Sequence, residues 1–212
     1  MQWITEPSPV SYPDALRRME QRVEAIQRGQ GEELAWLVEH PPLYTAGTSA
    51  KGPDLLGGNG IPVFETGRGG QYTYHGPGQR VGYLMLDLNL RGKDLRAYVK
   101  QLEAWIIATL AEFRLEAFTR DGRIGVWVNT PTGEAKIAAL GVRVQKWVTS
   151  HGICLNINPD LSHYRGIVPC GIREFGVTSL QALGVSATME EVDAVLKAQF
   201  DAILPTPIAE VL

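Results

Sequence analysis

The residues best able to do chemistry fall in three short segments. The first is Arg68-Gly69-Gly70-Gln71-Tyr72-Thr73-Tyr74-His75-Gly76-Pro77-Gly78-Gln79. Its glycines allow backbone conformations and close ligand approach that a side chain would block. Arg68 brings a permanent cation, His75 a titratable imidazole, and Gln71 and Gln79 amide donors and acceptors. The glycine spacing fits neither a dinucleotide-binding fingerprint nor a Walker loop, which closes on Gly-Lys-Ser/Thr. Read from residue types alone, the segment is either a glycine-rich hairpin connection or a ligand-binding loop. The second segment is Gly166-Ile167-Val168-Pro169-Cys170-Gly171-Ile172. A cysteine between proline and glycine sits on a turn, where a thiolate can meet a substrate; equally, a free cysteine serves as a small buried filler. The third is Ala135-Lys136-Ile137-Ala138-Ala139-Leu140-Gly141. Among such small apolar neighbours Lys136 is either partly desolvated and fitted for acid/base work, or it snorkels from a strand edge to water. Cys154, inside Gly152-Ile153-Cys154-Leu155, reads as packing. His40, His151 and His163 lack metal-ligand spacing, the cysteines form no C-x-x-C, and G-x-S-x-G is absent. Neither a zinc site nor a serine-hydrolase elbow has support.

These segments need elements to hold them. Leu16, Met19, Val23 and Ile26 recur at helical spacing after Pro13, with Gly29 and Gly31 as the stop. Leu34 to Val38 is a short apolar run ahead of His40-Pro41-Pro42 and reads as a strand. Residues 47 to 80 are rich in glycine and proline and read as one long functional loop region, with Phe64, Tyr72 and Tyr74 arguing against disorder. Val81 to Leu88 reads as a strand with Leu84, Leu86 and Leu88 on one face. A second helix is expected from Asp94 to Phe113, its apolar face formed by Leu95, Tyr98, Val99, Leu102, Ile106, Leu110 and Phe113. Strands follow at Ile124 to Val128, Ala135 to Val144, Lys146 to Thr149 and Gly152 to Ile157, with a turn at Thr130-Pro131-Thr132-Gly133. Thr188 and Glu191 match a capping box that opens a last helix, running to about Leu204. Helices and strands mix without a strict βαβ rhythm, so the fold class is α/β: a mixed α+β sheet with flanking helices.

Composition narrows the function classes. With 212 residues, 44% hydrophobic and 20% charged, the chain is an ordinary globular one sized for a single domain, 1–212. Twenty Lys and Arg against 23 Asp and Glu give a net charge of −3, without the basic excess of nucleic-acid binders. Two cysteines are too few for a disulfide framework; sixteen positions apart, they leave one bridge open, but their number favours a reduced compartment. The N-terminus reads as no secretory signal, and no apolar run suggests a membrane span. A cytoplasmic enzyme without nucleic-acid or membrane partners is the class that remains.

Taken in order along the chain, the three segments resemble the lipoyl(octanoyl) transferase family. Arg68 through Gln79 matches its R-G-G-x-x-T-aromatic-H-x-x-G-Q signature, and His40-Pro41-Pro42-Leu43-Tyr44-Thr45-Ala46-Gly47 resembles its upstream segment. The lysine segment matches at Lys136 to Val144, and Val168 to Ile172 matches the nucleophile segment. One departure is Cys154, where members commonly carry alanine. The resemblance implies a biotin/lipoate-protein-ligase-like fold and transfer of an octanoyl group from octanoyl-acyl carrier protein. The implied acceptors are lysines of lipoyl domains, in 2-oxoacid dehydrogenase complexes and the glycine cleavage H protein, and no cofactor is implied. It further implies Cys170 as nucleophile, Lys136 as its activating partner, and a pocket lined by Arg68, Gly69, Gly70, Gln71, Tyr72, Thr73, Tyr74, His75, Ala139, Leu140, Gly141, Gly152, Ile153 and Cys154. The chemistry is coherent. Thioester exchange is nearly isoenergetic, so no ATP is needed, but a thiol with an ordinary pKa near ~8.5 is mostly protonated at neutral pH and needs a cation beside it. An ATP-dependent lipoate or biotin ligase would instead need an acyl-adenylate site, and a non-catalytic acyl-carrier-binding module would leave Cys170 dispensable.

Overall fold

The computed structural model describes residues 1–57, 60–168 and 175–204. Eleven strands and three α-helices follow one another as β1 (Gln2–Thr5), α1 (Tyr12–Gln27), β2 (Leu34–Val38), β3 (Leu43–Ala46), β4 (Val63–Glu65), β5 (Tyr72–His75), β6 (Gln79–Met85), α2 (Leu95–Glu112), β7 (Ala117–Arg120), β8 (Arg123–Thr130), β9 (Gly133–Gln145), β10 (Val148–Asn156), β11 (Gly176–Val177) and α3 (Met189–Ile203). The main sheet runs β1-β2-β6-β10-β9-β8-β7, with β11 paired to β9. It is mixed: β1 and β2 are parallel, as are β11 and β9, while the remaining pairs are antiparallel. A second sheet, β4-β3-β5, carries the glycine-rich segment.

Strand alternation explains why β2 and β6 are buried along their whole length. Leu34, Trp36 and Val38, with Val81, Tyr83 and Met85, face α1 through its Ala15, Met19, Val23 and Ile26. The intervening Ala35, Leu37 and Leu84 face the opposite layer, formed by Leu102, Trp105, Ile106 and Leu110 of α2 and Val192, Leu196 and Phe200 of α3. The sheet is thus covered by helices on both sides. Helix starts are set locally. Ser11 caps α1 and Asp94 caps α2, and the Thr188/Glu191 capping box is closed in both directions, at 2.8 and 3.2 Å.

Three expectations are corrected. Residues 47 to 80 are not one loop region, since they hold β4, β5 and the start of β6. The strand expected to run to Leu88 ends at Met85, and Leu88 opens a short 3₁₀ turn while still packing with Leu84 and Leu86. The two strands expected at 146–149 and 152–157 are one strand, β10; Lys146 and Trp147 instead form the β9–β10 turn, with φ of 48° and 66°.

Candidate functional site

Lys136 is built into the first part of β9. It is only 6% exposed, and its strand is irregular on both flanks. The register with β8 shifts between Val126↔Ala138 and Trp127↔Lys136. On the other side β10 leaves β9 after Leu155↔Ala138, and β11 takes over the vacated edge through Val177↔Lys136. The ammonium donates to the Ile124 carbonyl at 3.0 Å and stands 4.8 Å over the Trp127 ring. Gly125 makes room for it. At φ +131° a Cβ would be strained, and it would stand 2.9 Å from Lys136 Cε and 3.0 Å from the Ala138 oxygen. Glu103, buried on α2, accepts the Gly125 amide at 3.0 Å and fixes that turn of chain.

Cys170 lies outside the described residues, as do its neighbours from 169 to 174. Its downstream flank is held beside Lys136, and its upstream flank is anchored separately. Upstream, the Val168 amide donates to Asp54 at 2.7 Å. Downstream, Phe175 meets the edge of the Trp127 ring at 5.6 Å, the same ring that lies under the Lys136 ammonium. The Thr178 amide donates to the Lys136 carbonyl at 2.9 Å. Gln79 ties the two flanks together. Its amide donates to Asn156 Oδ1 at 2.9 Å and to the Tyr164 hydroxyl at 2.8 Å, and Asn156 donates to the Thr178 carbonyl at 2.9 Å.

A cleft of about 1170 Å³ opens over this centre. The glycine-rich segment reaches it because Gly69 donates to the Val142 carbonyl at 3.0 Å. Gly141 permits the approach, since a Cβ there would stand 2.9 Å from Arg68 Cδ. Arg68 spends its guanidinium on its own surroundings, donating to Gly69, Thr45 and Gln71 at 2.6–3.0 Å. The inner wall is aromatic and buried. Tyr12 Oη lies 3.2 Å from His151 Nε2, and behind the wall His40 accepts from the Tyr83 hydroxyl at 2.7 Å and donates to the Val10 carbonyl at 2.6 Å. Cys154 donates its S–H to Gln79 Oε1 at 3.1 Å.

Burial sets the charge state of that wall. Desolvation pushes His151 down to about 3 and His40 below the ordinary imidazole value. His75 is held well below it, by burial first and then by the neighbouring His40 and Arg68. The same desolvation pushes the Cys154 thiol up to about 12. Near neutral pH these groups are uncharged, whatever their titratable character. Among the described residues, His75 Nδ1 and Gln71 Oε1 are buried without a hydrogen-bond partner.

The cleft brings together Arg68, Gly69, Gly70, Gln71, Tyr72, Thr73 and His75 with Lys136, Ala139, Leu140, Gly141, Gly152, Ile153 and Cys154. Tyr74 is the exception. It packs away from the cleft against Tyr44 and Tyr164, at 5.9 and 5.6 Å. Sequence reading missed Tyr12, Tyr83 and His151 on the inner wall and Leu95, Val99 and Glu103 on α2. Leu95 and Val99 carried a signal that was misassigned: their helical period placed them in the core, whereas they turn into the cleft.

Comparisons with known proteins fit this architecture. The model of the lipoyl protein ligase A/B catalytic domain matches residues 11–201. An octanoyltransferase of Paramagnetospirillum magneticum (strain ATCC 700264 / AMB-1) is 60% identical over 201 residues, covering 94% of this chain and 95% of that protein. Among solved structures, the bipartite lipoate protein ligase of Thermoplasma acidophilum superposes with a TM-score of 0.69 at 18% identity, over 96% of this chain and 83% of that one. A biotin protein ligase from Aquifex aeolicus, in complex with biotin and ATP, gives 0.57 at 14% identity, over 96% and 69%. The fold is therefore that of the lipoate and biotin protein ligases. The chain belongs to the lipoyl protein ligase A/B catalytic-domain family and, within it, to the octanoyltransferases; it is a transferase. Among the described residues no helix is long and apolar enough to cross a membrane.

Proposed function

We propose that residues 1–212 form one catalytic domain that moves an octanoyl group from octanoyl-acyl carrier protein to the acceptor lysine of lipoyl domains, in the cytoplasm and through a thioester on Cys170. The observation that carries the reading is the buried ammonium of Lys136, sharing the Trp127 ring with the downstream flank of Cys170 at the floor of the cleft. A cation beside a thiol stabilises its thiolate. That thiolate attacks the donor carbonyl; the new carbon–sulfur bond forms as the carrier's sulfur departs, taking a proton from the Lys136 ammonium and leaving Lys136 a neutral amine. The acceptor ammonium gives a proton to the now neutral Lys136 amine, directly or through water, and the amine so formed attacks the acyl enzyme; the amide forms as the Cys170 thiolate leaves, and the remaining amine proton passes to water.

The cleft suits the remaining demands. Leu140, Ile153 and Ala139 offer apolar contact to the chain, at ~0.8 kcal/mol for each methylene buried. His75, neutral by burial, positions the carbonyl or a water and is not the primary base. The acceptors are lipoyl domains of 2-oxoacid dehydrogenase complexes and the glycine cleavage H protein. Intact mass spectrometry tests the reading. Mixing the protein with octanoyl-acyl carrier protein and a lipoyl domain, without ATP, is expected to add one octanoyl group first to the enzyme and then to the domain. Transfer that survives Cys170→Ser, or that requires ATP, would refute it.

A further inference from the structure

The cleft is larger than an eight-carbon chain requires. Its volume, about 1170 Å³, exceeds the roughly 300–1,000 Å³ of pockets that take drug-sized ligands, and a linear octanoyl group is smaller than such a ligand. The surplus extends past Lys136, along the N-terminal half of α2 and the β7–β8 turn. Leu95, Val99 and Ile124 line it, and Leu95 and Ile124 are large apolar side chains left 41% and 58% exposed. Exposed apolar side chains beside a cleft mark a contact surface. Cations line the same stretch. Arg96 and Lys100 stand four residues apart, on one face of α2. No carboxylate pairs with either among the described residues. Arg123 stacks 4.1 Å over Phe175, with Glu134 at 3.8 Å and its buried Nη1 lacking a hydrogen-bond partner among the described residues. Asp121 is also part of this wall.

An apolar passage flanked by cations complements a thioester whose carrier arm ends in a phosphodiester. We infer that this outer half of the cleft is the subsite for the phosphopantetheine arm of the acyl donor, its hydrocarbon on Leu95, Val99 and Ile124 and its phosphate on Arg96 and Lys100. The inference rests on the thioester-donor reading above and takes a carrier protein as the source of the arm. The lengths agree. Such an arm is about as long as five residues of extended peptide, ~17 Å. Arg96 precedes Glu103 by seven residues, which is about 10 Å along a helix. Glu103 holds Gly125, adjacent to the Ile124 carbonyl that receives the Lys136 ammonium. An arm whose thioester lies at Lys136 is long enough to set its phosphate at the first turns of α2.

The test compares acylation of the enzyme by octanoyl-pantetheine, octanoyl-4′-phosphopantetheine, octanoyl-coenzyme A and octanoyl-acyl carrier protein. It uses the wild type, the exposed pair Arg96→Ala/Lys100→Ala, and the charge-keeping pair Arg96→Lys/Lys100→Arg. In the wild type the phosphate should raise kcat/KM about tenfold, the effect of two exposed charge contacts. That ratio should fall below about twofold in the alanine pair and return in the charge-keeping pair. An equal phosphate effect in wild type and alanine pair would overturn the inference. So would a loss confined to the KM of the lipoyl-domain acceptor, which would assign the surface to the acceptor. Preference for octanoyl-coenzyme A over octanoyl-acyl carrier protein would overturn the assigned source. Failure of every thioester to acylate the wild type would instead refute the functional reading itself, and the subsite with it.

Discussion

At its inner end the cleft is walled by Tyr12, His75, Tyr83, His151 and Cys154, all buried; at its outer end by Leu95, Arg96, Lys100 and Ile124. The inner groups are titratable but kept neutral, because each is withdrawn from water and hydrogen-bonded to a neutral neighbour or left to await one. The outer cations, Arg96 and Lys100, are exposed to water, so their charge costs little to maintain. Lys136 lies where the two regimes meet, a buried ammonium held by a carbonyl and an aromatic ring. An apolar chain suits the first environment and a charged carrier arm the second. The polarity of the cleft thus orients a two-ended substrate with its reacting carbon near Lys136.

The largest expected effect is on chemistry at the junction. Lys136→Met should slow acyl transfer by about 10²–10⁴-fold, the usual weight of a positioned acid/base group, while a melting curve stays close to wild type. It should also raise the midpoint of Cys170 alkylation against pH; an unchanged midpoint would remove Lys136 from that role. Placing one negative charge at each end sharpens the contrast further. Cys154→Asp introduces a carboxylate at a site only 4% exposed and should cost about 3–5 kcal/mol of stability. Lys100→Glu, on the exposed face of α2, should stay within about 0.5 kcal/mol. Equal costs in chemical denaturation would break the comparison.

Acid should expose the same difference. The folded-state pKa of His40, His75 and His151 lies below the ordinary value. Above pH ~6.5 these imidazoles are neutral in folded and unfolded chain alike and add no pH dependence. Below it the unfolded chain takes up protons that the folded chain refuses. Stability should therefore fall as the pH drops below ~6.5, by up to ~1.4 kcal/mol per pH unit for each imidazole until its own folded-state pKa is reached, about 3 for His151. His151→Phe should flatten the slope in urea titrations at several pH values. A slope that did not change would show that His151 accepts a proton in place. The smallest effect belongs to Cys154→Ala, which should keep the transfer chemistry and shift acyl-chain preference by no more than severalfold, read from competing C6, C8 and C10 donors.

Much of this was legible in the residues themselves. The periods of α1, α2 and α3 are long, and Asp94 and Thr188 mark two of the starts locally; the cap of α1 at Ser11, two residues before Pro13, emerges only from the structure. β2 matched end to end because its apolar run is bounded by breakers. The strands of the second sheet were hidden, since three or four residues among glycines carry little period and are held by partners distant in sequence. Residue types singled out the segments of Arg68, Lys136 and Cys170 but could not say that β11 brings the flank of one beside the other. Nor could they show that Arg68 is engaged by Thr45 of β3, or that Leu95 and Val99 line a cleft. Those facts depend on tertiary packing, which a helical period does not encode.

The central claim is that the acyl group is carried on Cys170, beside Lys136, and not on the other thiol in the chain. Quenching the enzyme after a short exposure to octanoyl-acyl carrier protein, followed by peptide mapping, tests it directly. The account predicts the octanoyl thioester on the peptide that contains Cys170, with Cys154, buried and hydrogen-bonded to Gln79, unmodified. An octanoyl group found first on Cys154, or the same labelling in Lys136→Met at the wild-type rate, would contradict it.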